Sequence, residues 1–437
     1  MTISPAAAVA APGSRNPLRR LRDFGRPPRL MGVDIARGLA VLGMAGAHVG
    51  ATEVFEWARI ETWLDLVHGR SSILFAVVAG ISIALLTGRR RRPEPEELPA
   101  LRLRLLGRGA VIFAIGLALE LLNTGIAVIL TVYGVLFVAV IPFLRWRRRW
   151  LALAAALLAL LGPVLLEGVR ILSLDASGPG LDLVLFGTYP ITVWLVFLLA
   201  GLALGRSRLD RKRTAATMLA GGVLLAGIGY GGAALLAPIG EAAWSSAVTE
   251  PADAGAAFFG QPAESVDLDG KRCDAVGNGY VTCYPEDGAL DEGSSSVEPP
   301  SYLDRLPVGE AAARLIGAVL SAEAHSGGTL EILGSGGFAV AVIGLSLLAA
   351  RPLRWPLLPL AALGSMPLSA YSAHAVVIVV AGSASEVADN AFWAWLSLGL
   401  LAGATVWVAF LGRGPLERLT AASARAMAGR SSPARAE

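Results

Sequence analysis

The 437-residue chain is 54% apolar and only 16% charged, with a mean hydropathy of +0.61, where soluble domains carry about 25% charged residues. That balance excludes an ordinary soluble domain and points to an all-α, multi-pass membrane protein whose length allows roughly ten spans of about 20 residues plus loops. The net charge of +3 is too small to suggest nucleic acid, and the cations lie in short blocks between apolar runs, as membrane topology requires.

Residues 1–29 are rich in Ala, Pro and Arg and read as a disordered basic arm. Ala45-Gly46-Ala47 resembles a signal-peptidase site. Cleavage there is not expected, because the preceding polar stretch is too long and the apolar region would carry Asp34 and Arg37. Apolar runs then recur near 31–50, 71–88, 107–122, 125–144, 150–167, 186–205, 215–237, 331–350, 356–382 and 392–411. Basic blocks fill alternate gaps: 89–92 with Arg102, Arg104 and Arg108; Arg145 with 147–149; Arg206 to Arg213; Arg351 with Arg354; and the arginines after 412. If every block is cytoplasmic, about ten spans result with both termini inside, in a bacterial inner (plasma) membrane. The chain divides accordingly into the arm (1–29), a region of about seven spans (30–237), an extracytoplasmic loop (238–330), three further spans (331–412) and a cytoplasmic tail (413–437).

The long loop holds the only cysteines, Cys273 and Cys283, around Gly277-Asn278-Gly279. That spacing suits a hairpin. An oxidising exterior favours a disulfide there, with unpaired thiols as the alternative. Two cysteines alone do not make a zinc site, and no His-x-x-x-His or Glu-x-x-His spacing supports a metal elsewhere. The apolar stretch 311–324 is short and interrupted by Arg314 and Glu323, which reads as an interfacial helix. Gly201-Leu-Ala-Leu-Gly205 is a GxxxG that predicts close helix packing.

The first apolar run carries the most informative pair, Arg37 and His48. On a helix an offset of eleven is three turns plus roughly 20°, so both side chains share a face, about 16 Å apart along the axis. Titratable groups in a span are costly and usually serve a protein interior. Asp34 lies one turn before Arg37 and can pair with it. The predicted topology sets all four histidines toward the outer side: His48, His68 before the second run, His325 before the eighth and His374 in the ninth. Glu120 and Asn123 close the third run on that side. Arg70 starts the second run. Each has a plainer alternative: interhelical hydrogen bonding for His48 and His374, solvated loops for His68 and His325, a boundary ion pair for Asp34 and Arg37, and interfacial anchoring for Arg70.

Gly32-Val-Asp-Ile-Ala-Arg-Gly-Leu-Ala-Val-Leu-Gly-Met44 resembles the opening of the transmembrane acyltransferases. Within that superfamily it is similar to bacterial proteins related to the catalytic domain of heparan-alpha-glucosaminide N-acetyltransferase. Arg37-x10-His48 matches the signature of the acyltransferase-3 branch, and His68-Gly-Arg-Ser-Ser-Ile-Leu-Phe resembles the bacterial second-span motif. Gly364-Ser-Met-Pro-Leu-Ser-Ala-Tyr-Ser-Ala-His374 and Gly414-Pro-Leu-Glu417 resemble a DUF418-type region. The resemblance implies transfer of an acyl group, acetyl by preference, from cytoplasmic acyl-CoA to an extracytoplasmic glycan or envelope acceptor. It implies His48 or His68 as catalytic, Arg37 and Asp34 at the cofactor, Arg70, His374 and Glu120 at the acceptor, and no metal. The chain departs from the lysosomal enzyme in one respect. That enzyme's catalytic histidine sits in the loop after the first span in a Trp-Asn-Gly context, whereas the loop here around Trp57-Ala-Arg-Ile60 has none. Expected partners are the lipid bilayer, the acceptor and at most a second copy of the chain. A transporter or flippase, and a non-catalytic subunit binding through the 238–330 loop, are the rival readings.

Overall fold

Each apolar run becomes a helix or helix pair in the computed structural model, which describes residues 16–50, 55–123, 125–248, 271–277, 280–285, 301–384 and 387–429. The order is α1 (Pro17–Asp23), α2 (Met31–Val49), α3 (Arg70–Leu86), α4 (Leu98–Glu120), α5 (Leu130–Ala139), α6 (Arg148–Leu172), the single turn α7 (Pro179–Leu181), α8 (Ile191–Gly205) and α9 (Lys212–Val248). After the strands β1 (Lys271–Gly277) and β2 (Tyr280–Pro285) come α10 (Val308–Leu320), α11 (Thr329–Ala349), α12 (Leu358–Gly364), α13 (Pro367–Ala381), α14 (Asn390–Phe410) and α15 (Pro415–Gly429). Among the described residues, five helices are long and apolar enough to cross a membrane, or six if α12 and α13 form one bent span. This is fewer than ten because α5 and α8 are shorter apolar helices, α2 carries Asp34, Arg37 and His48, and α4 carries Arg102, Arg104, Arg108 and Glu120.

Helix α2 is central. Buried residues run along its whole length, as in a helix with no solvent face. Outward-facing leucines line α6, among them Leu153, Leu157, Leu160 and Leu165, and Trp395, Leu398 and Phe410 line α14. Apolar surface of that extent is what helices able to cross a membrane present.

Three segments differ from the sequence reading. Residues 16–29, expected to be disordered, form α1 and a docked turn. Asn16 caps α1 by accepting from Leu18 N at 3.0 Å, Arg20 donates to the Phe410 carbonyl at 2.5 Å, and Arg354 holds the Phe24 carbonyl at 2.9 Å. Residues 415–429, within the stretch expected to be a tail, form α15, which lies on α4 with Ser423 donating to the Gly107 carbonyl at 3.1 Å. Helix α9 continues to Val248, past the expected loop boundary at 238. The hairpin appears as expected, with Cys273 directly opposite Cys283 in an antiparallel register. The expected disulfide concerns side chains that lie outside the described residues.

The run expected as one span at 356–382 is broken. Helices α12 and α13 meet at 89°, and both broken ends are capped by charge. The Gly364 carbonyl, at the C-terminal end of α12, accepts from Arg37 Nη1 at 2.8 Å. At the start of α13, Leu368 N and Ser369 N donate to Glu417 Oε1 at 2.8 and 3.2 Å. A cation at a helix C-terminus and a carboxylate at an N-terminus are the arrangement the peptide dipoles favour.

The arginine blocks assigned to one side gather at one end of the bundle. Arg26, Arg29, Arg89, Arg351 and Arg354 share a cavity. Arg92 lines another with Arg145 and Arg147.

Glycines set the helix spacing. A Cβ at Gly201 would collide with the Val77 carbonyl, and one at Gly205 would meet Ala84 Cβ at 2.5 Å, so the GxxxG of α8 is the face that seats α3. Overpacking such a contact costs about 1–3 kcal/mol. Gly201→Ala is therefore expected to lower the melting temperature of the detergent-purified protein. Gly162→Ala, whose Cβ would meet nothing within 4 Å, should leave it unchanged or raise it. Equal melting of the two variants would show that α3 and α8 do not depend on this contact.

Candidate active site

The four histidines, scattered over 326 residues of sequence between His48 and His374, come together at the end of the bundle opposite the arginines. His48, near the C-terminus of α2, places Nδ1 3.1 Å from Nε2 of His374 on α13. His68, which ends the 3₁₀ segment Ile60–Val67, meets His325 edge-on with ring centroids 6.2 Å apart. His48, His68 and His325 line one cavity of about 180 Å³ with Ser72, Tyr189 and Tyr371. His374 is fully buried behind His48. Among the described residues, no group of three or more His, Cys, Asp or Glu is placed to hold a metal ion.

His48 Nδ1 and His374 Nε2 share one hydrogen bond, and which ring donates depends on the tautomers of the pair. His374 Nδ1 is buried without a hydrogen-bond partner among the described residues. Tyr371 sits edge-on to both rings, at 4.8 Å from His374 and 6.4 Å from His48. Its buried hydroxyl lies by the Ile129 backbone and makes no hydrogen bond of ordinary geometry. Sequence reasoning did not single out Tyr371, although it stands three residues before His374, close to one helical turn.

A second cavity, of about 320 Å³, lies toward the arginine-rich end and is lined by Arg37, Arg108, Tyr133, Phe75, Ser82 and Glu417 among others. Arg37 Nη1 donates to Asp34 at 3.1 Å and to Gly364 O at 2.8 Å, and Nη2 donates to Ser82 Oγ at 2.7 Å. Two of its five N–H groups remain uncommitted among the described residues. Asp34 also accepts from Arg29 at 2.5 Å. Thus Arg37 and His48 face two cavities at opposite ends of α2, as their spacing predicts. On α3, Ser71 and Ser72 line the histidine cavity and Phe75, Ala79 and Ser82 line the other. Between them on this helix, the Tyr133 hydroxyl donates to the Ser72 carbonyl at 3.4 Å, and Phe75 packs edge-on against Tyr133 at 5.2 Å. On the far side, the histidine cavity shares Thr188 and His325 with a vestibule of about 640 Å³.

Two other candidates lie apart from the histidine cavity. Arg70 donates to Tyr230 Oη at 2.7 Å and to the Asp65 carbonyl at 2.8 Å, which ties α3 to α9. Glu120 accepts from Thr131 Oγ1 at 3.0 Å at the end of α4.

The His325 loop is clamped by Glu331, which accepts from His325 N at 2.7 Å and Gly327 N at 2.6 Å. Burial, reinforced by neighbouring His68, pulls the His325 imidazole down to about 4. The unfolded chain protonates this side chain near its ordinary value of about 6.5. Stability from neutral His325 is therefore complete above about pH 6.5 and is lost as pH falls toward about 4. Melting curves between pH 7 and 4.5 should fall more steeply for the wild type than for His325→Gln; parallel curves would remove His325 as their cause.

Residues 29–231 match the family model described as heparan-alpha-glucosaminide N-acetyltransferase, catalytic. No curated protein matches the chain, and no solved structure does. The matched span holds Arg37, His48, His68 and Tyr133 and ends before His325, Tyr371 and His374, so the DUF418-like character of the C-terminal part remains a reading of its motifs. Over residues 29–231 the chain is similar to the catalytic domain of heparan-alpha-glucosaminide N-acetyltransferase, a family of membrane acetyltransferase-like transferases.

Proposed function

We propose that the protein is a membrane-embedded acyltransferase that moves an acyl group, acetyl by preference, from cytoplasmic acyl-CoA to an extracytoplasmic glycan or envelope acceptor. The observation that carries this reading is the pair of cavities at opposite ends of α2, one holding Arg37 and the other His48, with Tyr133 of the first bonded to the Ser72 backbone of the second. The apolar walls and two cations of the Arg37 cavity suit an extended thioester arm, and the uncommitted N–H groups of Arg37 would hold an anionic or carbonyl oxygen of it. The acceptor would come through the vestibule beside His325.

His48 Nε2 would take the proton of the acceptor hydroxyl or amine as that atom attacks the thioester carbonyl. The C–S bond then breaks, the thiolate leaves, and the proton on His48 returns to it. A transient acyl group on the same nitrogen is the covalent variant. His374 Nε2, accepting from His48 Nδ1–H, would leave His48 Nε2 unprotonated for this role. The Tyr371 hydroxyl, free of ordinary partners, would donate to the oxygen on which charge develops.

Inside-out vesicles supplied with radiolabelled acetyl-CoA test the reading. His48→Ala should abolish release of free CoA and luminal label in a protein that melts like the wild type. Tyr371→Phe should slow turnover by about 100-fold or more, the scale of one lost donor to a developing oxyanion, and change KM little. Undiminished transfer by His48→Ala would overturn the assignment. The rival is a transporter, which the 89° break between α12 and α13 favours because broken helices build transport sites. A folded protein that releases no CoA from any acyl-CoA offered with envelope extract would support that rival instead.

A further inference from the structure

We propose that the arginine-rich end of the bundle carries a binding site for a phosphate ester with two or more negative charges. The site is separate from both cavities above and does not depend on the acyl-transfer reading. It is a cavity of about 780 Å³ between the α1–α2 turn, the turn after α3 and the α11–α12 turn. Those segments supply Arg26 and Arg29, then Arg89, Arg90 and Arg91, then Arg351 and Arg354, against a single lining carboxylate, Asp210.

The charge account is what marks it as a site. Four of the cations have acidic partners: Arg26 with Asp23 at 2.7 Å, Arg29 with Asp34 at 2.5 Å, Arg89 with Asp210 at 3.3 Å, and Arg91 with Glu97. Among the described residues, Arg90, Arg351 and Arg354 have none. Arg354 donates only to the neutral Arg22 and Phe24 carbonyls. The fold therefore keeps three guanidinium groups without an acidic partner around one space. A phosphate group offers the several acceptor oxygens and the charge that would pair with them. The same chemistry is found in the headgroup of an anionic lipid and in a soluble nucleotide or sugar phosphate. Basic pockets between membrane helices take lipid headgroups in this way. Arg29 also links the cavity to Asp34 and, through it, to Arg37.

The test uses the full chain in nanodiscs at physiological salt, with radiolabelled pyrophosphate as the probe. Phosphatidylcholine discs should show saturable binding of one pyrophosphate per chain. Arg90→Gln with Arg351→Gln removes two exposed arginines that hold no ion pair, so folding should be preserved, and affinity should fall about tenfold or more, the scale of a lost charged hydrogen bond. Arg148→Gln with Arg149→Gln removes equal charge from another block at the same end and should leave binding unchanged. Adding phosphatidylglycerol distinguishes the sources: loss of pyrophosphate binding assigns the site to a lipid headgroup, and retention assigns it to a soluble ester. Equal weakening by both double variants would mean a diffuse field and no site, and absence of saturable binding in phosphatidylcholine discs would overturn the proposal outright.

Discussion

The bend between α12 and α13 depends on two charges supplied from elsewhere. Breaking a helix inside an apolar bundle strands carbonyls at one end and N–H groups at the other, and lipid offers them nothing. Arg37 meets the first end and Glu417 the second. Arg37 can be placed there because Gly364 and Gly38 let α12 approach α2 so closely that a Cβ at Gly364 would strike the Asp34 carbonyl. The bend then sets the start and course of α13, and with them the positions of Tyr371 and His374 against His48. Arg37 thus positions the opposite end of the site as well as lining its own cavity.

The same residues divide the interior into levels. The face of α3 that begins with Ser71 and Ser72 continues through Phe75 and Ala79 to Ser82, and it walls both cavities in turn. Tyr133 lines the Arg37 cavity, packs edge-on against Phe75 and bonds to the Ser72 carbonyl beside the histidine cavity. A group reaching from one cavity to the other would pass from a cationic, partly apolar chamber to one furnished with imidazole and phenol groups. That gradient of chemistry along α2 gives the two-chamber arrangement its functional sense.

The family resemblance and the site do not have the same extent. The matched span, 29–231, supplies one member of each histidine pair at the histidine cavity, His48 and His68. Their partners, His374 and His325, come from the later part of the chain, as do Tyr371 and the Glu417 that caps α13. Half of the chemistry therefore lies in residues outside the matched span, and conclusions carried over from the family cover only the first half of the constellation.

The sequence by itself determined the class of protein, the location of the helices, the single face shared by Arg37 and His48, and the hairpin around the two cysteines. Those features are local: hydropathy over about 20 residues, a helical period and turn chemistry are all written in neighbouring residues. Only the tertiary structure decided that α12 and α13 part at 89°, that residues 16–29 and 415–429 join the bundle, that Arg70 serves Tyr230, and that Tyr371 stands beside the histidines. Each of these is fixed by a partner far away in sequence, such as Arg37 for Gly364 or Glu417 for Leu368. No periodicity in one segment shows which distant carbonyl or N–H group will need a charge.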